Sequence, residues 1–226
     1  MVSYEAIQRL SGSPNGFGGD LRYGEATGLA GADKICAEVA EYSMPGASRK
    51  GWRAFLSATT GGANGGPVNA IERVGQGPWY DRLGRIVAQT TSDLANTRPL
   101  GADSEIINDL PNEYGTLNHA PDGVLVDNHH VLTGSDEQGR LAAASATCKD
   151  WTSSVGSDGR PICGMSWPRG GGGRGGGGAS HWISGFTAPG CAAYVELVEW
   201  GMGNQASLGV GAGGGYGAIY CFALTP

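Results

Sequence analysis

Apolar and polar positions recur along this chain in short bursts, and the longest periodic one runs from Asp33 to Ser43. There Ile35, Cys36, Val39 and Ala40 form one apolar stripe while Lys34, Glu38 and Glu41 point away, which predicts an amphipathic helix. Asp33 stands near its start, where a carboxylate suits the helix dipole, and Pro45-Gly46 ends it. Trp52–Ser57 then alternates as a half-buried strand, so that Gly28–Ser57 forms a glycine-rich turn, helix, break and strand around which the rest is organised.

Shorter patterns flank this unit. VSYEAIQRL (Val2–Leu10) alternates as a short strand, making residues 1–17 an N-terminal extension or strand, and a Gly/Pro/Asn-dense loop follows it. Trp79–Ala88 predicts a hairpin turning at Leu83-Gly84, and Ser92 is placed to cap a short helix, SDLANT, closed by Pro99. Residues 100–128, acidic and rich in Asn, predict a long ordered loop. His130–Gly134 predicts a strand, Ser135–Arg140 a tight turn, and Ala142–Trp151 another strand. Residues 170–178 (GGGGRGGGG) are low in complexity and predict a flexible segment. A second Gly-rich loop, 209–217, leads to a closing strand, Ala218–Leu224. Many short strands with one or two helices and long loops make an α+β chain, read as one domain over residues 1–226.

Composition narrows the function classes. Glycine reaches 42 residues with no triplet period, which removes collagen, and six tryptophans argue against global disorder. A net charge of −6 disfavours nucleic acid as a partner. No apolar run approaches the roughly 18 residues that span a bilayer, so no membrane insertion is expected. The five cysteines are scattered rather than paired as Cys-x-x-Cys, which suits disulfides and an oxidising compartment better than zinc. No signal-peptide pattern follows Met1, which conflicts with that compartment; the expectation that reconciles the two is a secreted or surface protein in mature or trimmed form.

Three stretches together resemble endostatin, the C-terminal domain of certain collagens, and the bacterial endostatin-like domains of the C-type-lectin-like fold. They are GLAGADKIC with its helix and WRAFLSAT; VLTGSDEQGR followed by CKDWTS; and Cys191 with the terminal AIYCF, about half of the chain. The resemblance implies a C-type-lectin-like fold in which the helix cysteine bonds the last-strand cysteine and a second bridge nests inside the first. On this sequence that implies Cys36–Cys221 and Cys148–Cys191. Cys163 is left over: it displaces Cys148 as the partner of Cys191, bonds another chain, or stays a buried free thiol. Fold does not fix function.

Asp103, Glu105, Asp109, Asn112, Glu113, Asn118, Asp122, Asp127 and Asn128 offer hard oxygens to calcium, although lectin sugar triplets are absent and Asx turns explain the same residues. Asp127 and His129, with His119 and His130, are the candidate zinc ligands, against which stands the expectation that His129 and His130 on a strand face opposite ways. No resident cofactor is required by either reading. No nucleophile elbow, phosphate loop or directed carboxylate pair is present, so no catalytic residue is nominated. Trp52, Trp151 and Trp182 are expected in the core, whereas Trp79, Tyr80, Trp167 and Trp200 border loops and are candidates, with Asp109, Asn112 and Glu113, to meet a ligand. The expectation is therefore a non-enzymatic recognition or adhesion domain that binds glycan or protein through its loops; the alternative is a structural subunit that assembles with copies of itself.

Overall fold

The computed structural model describes residues 1–118, 129–167, 181–197 and 206–225. The predicted helix is present and longer: α2 spans Gly28–Ser43, capped by the Thr27 hydroxyl, which accepts from Ala30 N at 3.2 Å. It begins before Asp33 because Gly28 and Gly31 belong inside it. A Cβ at Gly28 would collide with the Trp151 carbonyl, and one at Gly31 with the Leu21 and Arg22 carbonyls. Asp33 therefore lies in the body of the helix and not at its positive end. Its carboxylate takes both 2.8 Å bonds from Arg73 Nη2 and accepts the Ala54 amide at 2.9 Å, tying α2 to the next strand.

Strand β1 is Trp52–Ala54, shorter than predicted, and pairs antiparallel with the last strand, β8 (Cys221–Ala223). Between them in sequence come a one-turn helix α3 (Ala70–Arg73), the hairpin β2 (Trp79–Tyr80) and β3 (Ile86–Ala88), and the short helix α4 (Thr91–Leu94). The α4 cap is Thr90 and not Ser92, because Thr90 and Asp93 form a reciprocal capping box. The main sheet holds β4 (His130–Leu132), β5 (Ile162–Met165), β6 (Phe186–Thr187) and β7 (Gly215–Ile219) in the order β6-β5-β4-β7, with only β4–β7 parallel. A turn joins Asp136 to Arg140, as expected of Ser135–Arg140. The fold is mixed α+β with small sheets, and among the described residues no helix is long and apolar enough to cross a membrane.

Four sequence expectations are corrected. Val2–Leu10 is not a strand: Tyr4–Ser11 forms helix α1, with Ser3 as N-cap and Gly12 as C-cap, and it buries Ala6 and Ile7. Val2, Ala6, Ile7 and Leu10 have helical spacing, which prevails over the apparent alternation. Ala142–Trp151 is not a strand either. A 3₁₀ turn (Ala144–Thr147) leads into a left-handed turn in which Cys148, Lys149, Asp150 and Trp151 all have φ between 48° and 65°. The closing strand is divided, since β7 starts inside the supposed glycine loop and Tyr220 carries the chain from the main sheet to β8. Residues 209–220 are all buried, and a Cβ at Gly215 would stand 2.9 Å from that of His130. These glycines permit close packing. The fourth concerns the strand after the helix: the Phe55 amide still bonds the Tyr220 carbonyl in register with β8, but pairing goes no further because the Leu56 amide turns back to the Ala54 carbonyl and the Ser57 amide to Thr133. Residues 170–178 lie outside the described residues.

Two disulfides close the frame in the nested order that the resemblance implied. Cys36–Cys221 joins residues 185 apart and Cys148–Cys191 residues 43 apart. The loop-entropy relation assigns about 5 and about 4 kcal/mol to them, upper figures that native strain reduces. Cys163 is a free thiol buried on β5. Burial pushes its pKa up to about 12, so it is an inert core residue. The main core is aromatic, with Trp182 5.2 Å from Phe55 and 5.1 Å from Tyr220, and Trp79 set edge-on to Phe222 at 5.6 Å. The Trp151 and Trp182 indoles donate to the Ser57 and Leu94 carbonyls, both at 2.8 Å, so neither buried N–H is wasted.

Candidate binding cleft

Helix α2 covers one face of β8 through the Cys36–Cys221 bridge, and the β2–β3 hairpin covers the other through Trp79 on Phe222. Between the two, beside β8, lies a mostly apolar cavity of about 850 Å³. Val39, Ala40, Ser43 and Met44 of α2 form one wall, Val74–Arg82 the opposite wall, and Leu110–Glu113 with Met1 close one end. Cavities of this size and character are the usual form of a ligand site.

Four of the nominated residues come together here. Trp79, Tyr80, Asn112 and Glu113 all line the cleft, although they come from separate parts of the chain. Successive residues of a strand point opposite ways, and this alternation separates the first two. Trp79 is 6% exposed and donates to the Val74 carbonyl at 3.1 Å, so it forms the floor; Tyr80 is 58% exposed at the rim. The polar pair is already employed. Asn112 Oδ1 accepts the Tyr114 and Thr116 amides, an Asx turn. Glu113 accepts the Ser3 amide at 2.8 Å and the Ser3 hydroxyl at 2.6 Å, which fixes the start of α1 against the 100–118 loop.

The hairpin tip is braced in the same way. Asp81 accepts the Arg85 amide at 2.8 Å and Nε at 2.7 Å, while Arg85 also reaches Glu105 at 3.2 Å and the Gly115 carbonyl at 2.7 Å. Asp81 is thereby neutralised in place. Exposed Arg82 and half-buried Lys50 also line the cleft, and among the described residues no carboxylate pairs with either. The balance of uncommitted charge at the mouth is positive.

Set against known proteins, the chain matches no family model and no curated protein. Its site must be read from its own residues.

The remaining nominated residues lie elsewhere. Asp109 is buried and accepts the Asn118 amide at 2.9 Å, inside the loop that it shapes. Trp167 is half-buried with its ring 5.4 Å from that of His129. His129 and His130 do not face opposite ways: their rings meet at 4.1 Å because His129 precedes β4, and His130 stacks on Phe186 at 4.1 Å. Both are buried, and burial, with Arg98 adding in the same sense, draws the His129 pKa down to about 3. Among the described residues no three His, Cys, Asp or Glu side chains converge as metal ligands. Asp127, Trp200, His119 and Asp122 lie outside the described residues.

Sequence reasoning missed the α2 wall, Met44 and the segment Gly75–Pro78. The helix stripe was legible, but nothing local shows that its C-terminal half is left partly uncovered. The one available signal was the Trp79-Tyr80 pair on a predicted strand, where alternation puts one ring in and the next out.

Proposed function

We propose that this chain is a non-enzymatic recognition domain, endostatin-like in fold, that binds a glycan or protein ligand at a cell surface or outside the cell. The observation that carries the reading is the cleft beside β8, with Trp79 buried as its floor and Tyr80 exposed at its rim. An apolar cavity with a rigid aromatic and few free polar groups is suited to holding a ligand. The nested order of helix bridge and inner bridge supports the endostatin-like reading, and two disulfides favour an oxidising compartment. The test is a screen of glycan arrays and surface proteins with the intact chain and with Tyr80→Ala and Met44→Ala. Binding that both substitutions weaken supports the reading; binding indifferent to both places the ligand elsewhere and overturns it.

A second reading, a subunit that assembles with copies of itself, rests on a different feature. Tyr42, Leu83 and Tyr114 are exposed, Leu83 stands against Gly115, and Tyr42 lies beneath the Arg9 guanidinium. Exposed apolar side chains of this size suit contact between chains. Sedimentation over a concentration series tests it: a stable oligomer supports assembly, and a monomer at high concentration removes it.

A further inference from the structure

We propose that the occupant of the cleft is an extended polypeptide segment carrying acidic side chains, which pairs as a third strand with the outer edge of β8. The inference rests on the recognition reading above and specifies its ligand.

Among the described residues strand β8 has a single neighbour, β1. Phe55 N donates to the Tyr220 carbonyl and Leu224 N to the Gly51 carbonyl, which sets the alternation of the ladder, so Phe222 bonds its partner Arg53 across the same pair. The amides and carbonyls of Cys221 and Ala223 consequently face away from β1. One face of β8 is covered by α2 and the other by the hairpin, yet the cavity is lined from both, so it runs along that free edge. A free edge presents unpaired N–H and C=O groups in the spacing that an added strand requires. Main-chain bonds would supply affinity, and alternate side chains of the added strand would enter the apolar space between Met44 and Trp79.

Charge selects the partner. Arg82 and Lys50 at the mouth have no carboxylate partner among the described residues, while Asp81 and Glu113 are held by Arg85 and Ser3. An acidic segment gains both cations against the single carboxylate of Glu113, which the bonds from Ser3 hold in place without cancelling its charge; a basic segment meets both cations. A peptide is favoured over an oligosaccharide because the outward amides and carbonyls of Cys221 and Ala223 have the spacing of a strand and not of sugar hydroxyls.

The test uses the intact, oxidised, ¹⁵N-labelled chain and three blocked octapeptides: alternating Val and Asp, alternating Val and Lys, and the Val/Asp peptide N-methylated at alternate amides. The Val/Asp peptide is expected to bind, to shift the Cys221 and Ala223 amides and to slow their exchange. N-methylation should weaken binding about tenfold or more, the loss of at least one net hydrogen bond. Arg82→Glu with Lys50→Glu should weaken the Val/Asp peptide by about tenfold and favour the Val/Lys peptide. Ala223→Pro removes an outward donor and should weaken binding comparably; if it disturbs folding, the N-methylated peptide makes the same test on the unaltered protein. Equal binding of the N-methylated peptide, or unmoved β8 amides, overturns strand addition. Equal binding of the Val/Lys peptide overturns the charge assignment. If no peptide binds but a glycan does, sensitive to Tyr80→Ala, the recognition reading survives and this inference falls. Protection of the same amides by self-association alone replaces the peptide with a second copy and overturns it too.

Discussion

Each disulfide anchors a region of the molecule, and the two regions are built in opposite ways. Around Cys148–Cys191 the chain is closed. Four consecutive residues take the left-handed conformation at about 1–2 kcal/mol each, and glycines let neighbouring backbone press against them: a Cβ at Gly19 would stand 2.6 Å from the Cys148 sulfur. Asp150 holds the turn by accepting the Thr59 amide and hydroxyl, both at 2.6 Å, and the Thr60 hydroxyl at 3.0 Å. Around Cys36–Cys221 the chain is open. Cys221 is half-buried, and a strand edge is left beside a cavity. Where glycine brings backbones into contact, no enclosed space remains, and only an open hollow lined by Phe17, Asp20, Arg22 and Ser154 borders the region. Where side chains of unequal size face a free edge, such space remains. The closed region is the frame and the open one the candidate site.

The strongest way to break this contrast is at a frame glycine. Gly31→Ala forces a methyl group into the Leu21 and Arg22 carbonyls and is expected to cost 4 kcal/mol or more, roughly half the stability of a typical domain. Gly12→Ala, with φ of 65° and open space around it, should cost only about 1 kcal/mol. Urea unfolding of both measures the difference. Next in size, Asp150→Ala leaves the Thr59 amide without its acceptor and releases the left-handed turn; a loss of about 2–3 kcal/mol is expected, also from urea midpoints.

Acid should act on the main sheet through the two buried histidines beside β4. His129 is neutral and buried, with its pKa lowered from 6.5 to about 3, and His130 is lowered in the same direction by burial. The folded state thus binds fewer protons than the unfolded chain below pH 6.5. This contribution is fully present above that pH and is lost as pH falls toward 3. The expected slope is about 1–3 kcal/mol per pH unit between pH 6 and 4, and His129→Gln should flatten it. Smallest of all, Tyr80→Ala should change stability by no more than about 0.5 kcal/mol, because the ring is exposed, while removing ligand binding.

The sequence made the α2 stripe, the Trp79–Ala88 hairpin and the Asp136–Arg140 turn legible, because each is specified by residues a few positions apart. The nested bridges were legible only through the resemblance. The left-handed turn was not, since Cys-Lys-Asp-Trp contains neither glycine nor asparagine and its conformation is imposed by the disulfide, Asp150 and the packing of Trp151. The glycines of 209–217 looked like a flexible loop because close approach to His130 is a tertiary fact. Four of the seven nominated ligand residues line the site, Trp79, Tyr80, Asn112 and Glu113, and most of its wall was not foreseen. Its shape was hidden, because a cleft between a helix, a hairpin and a strand edge has no local signature.

Amide hydrogen exchange in the free protein tests the contrast most directly. The outward amides of Cys221 and Ala223 should exchange fast beside a protected Phe222, and the Leu21 amide, bonded to the Trp151 carbonyl at 2.9 Å, should exchange slowly. Equal, strong protection at Cys221, Phe222 and Ala223 would mean that the edge is already covered, and would contradict the account.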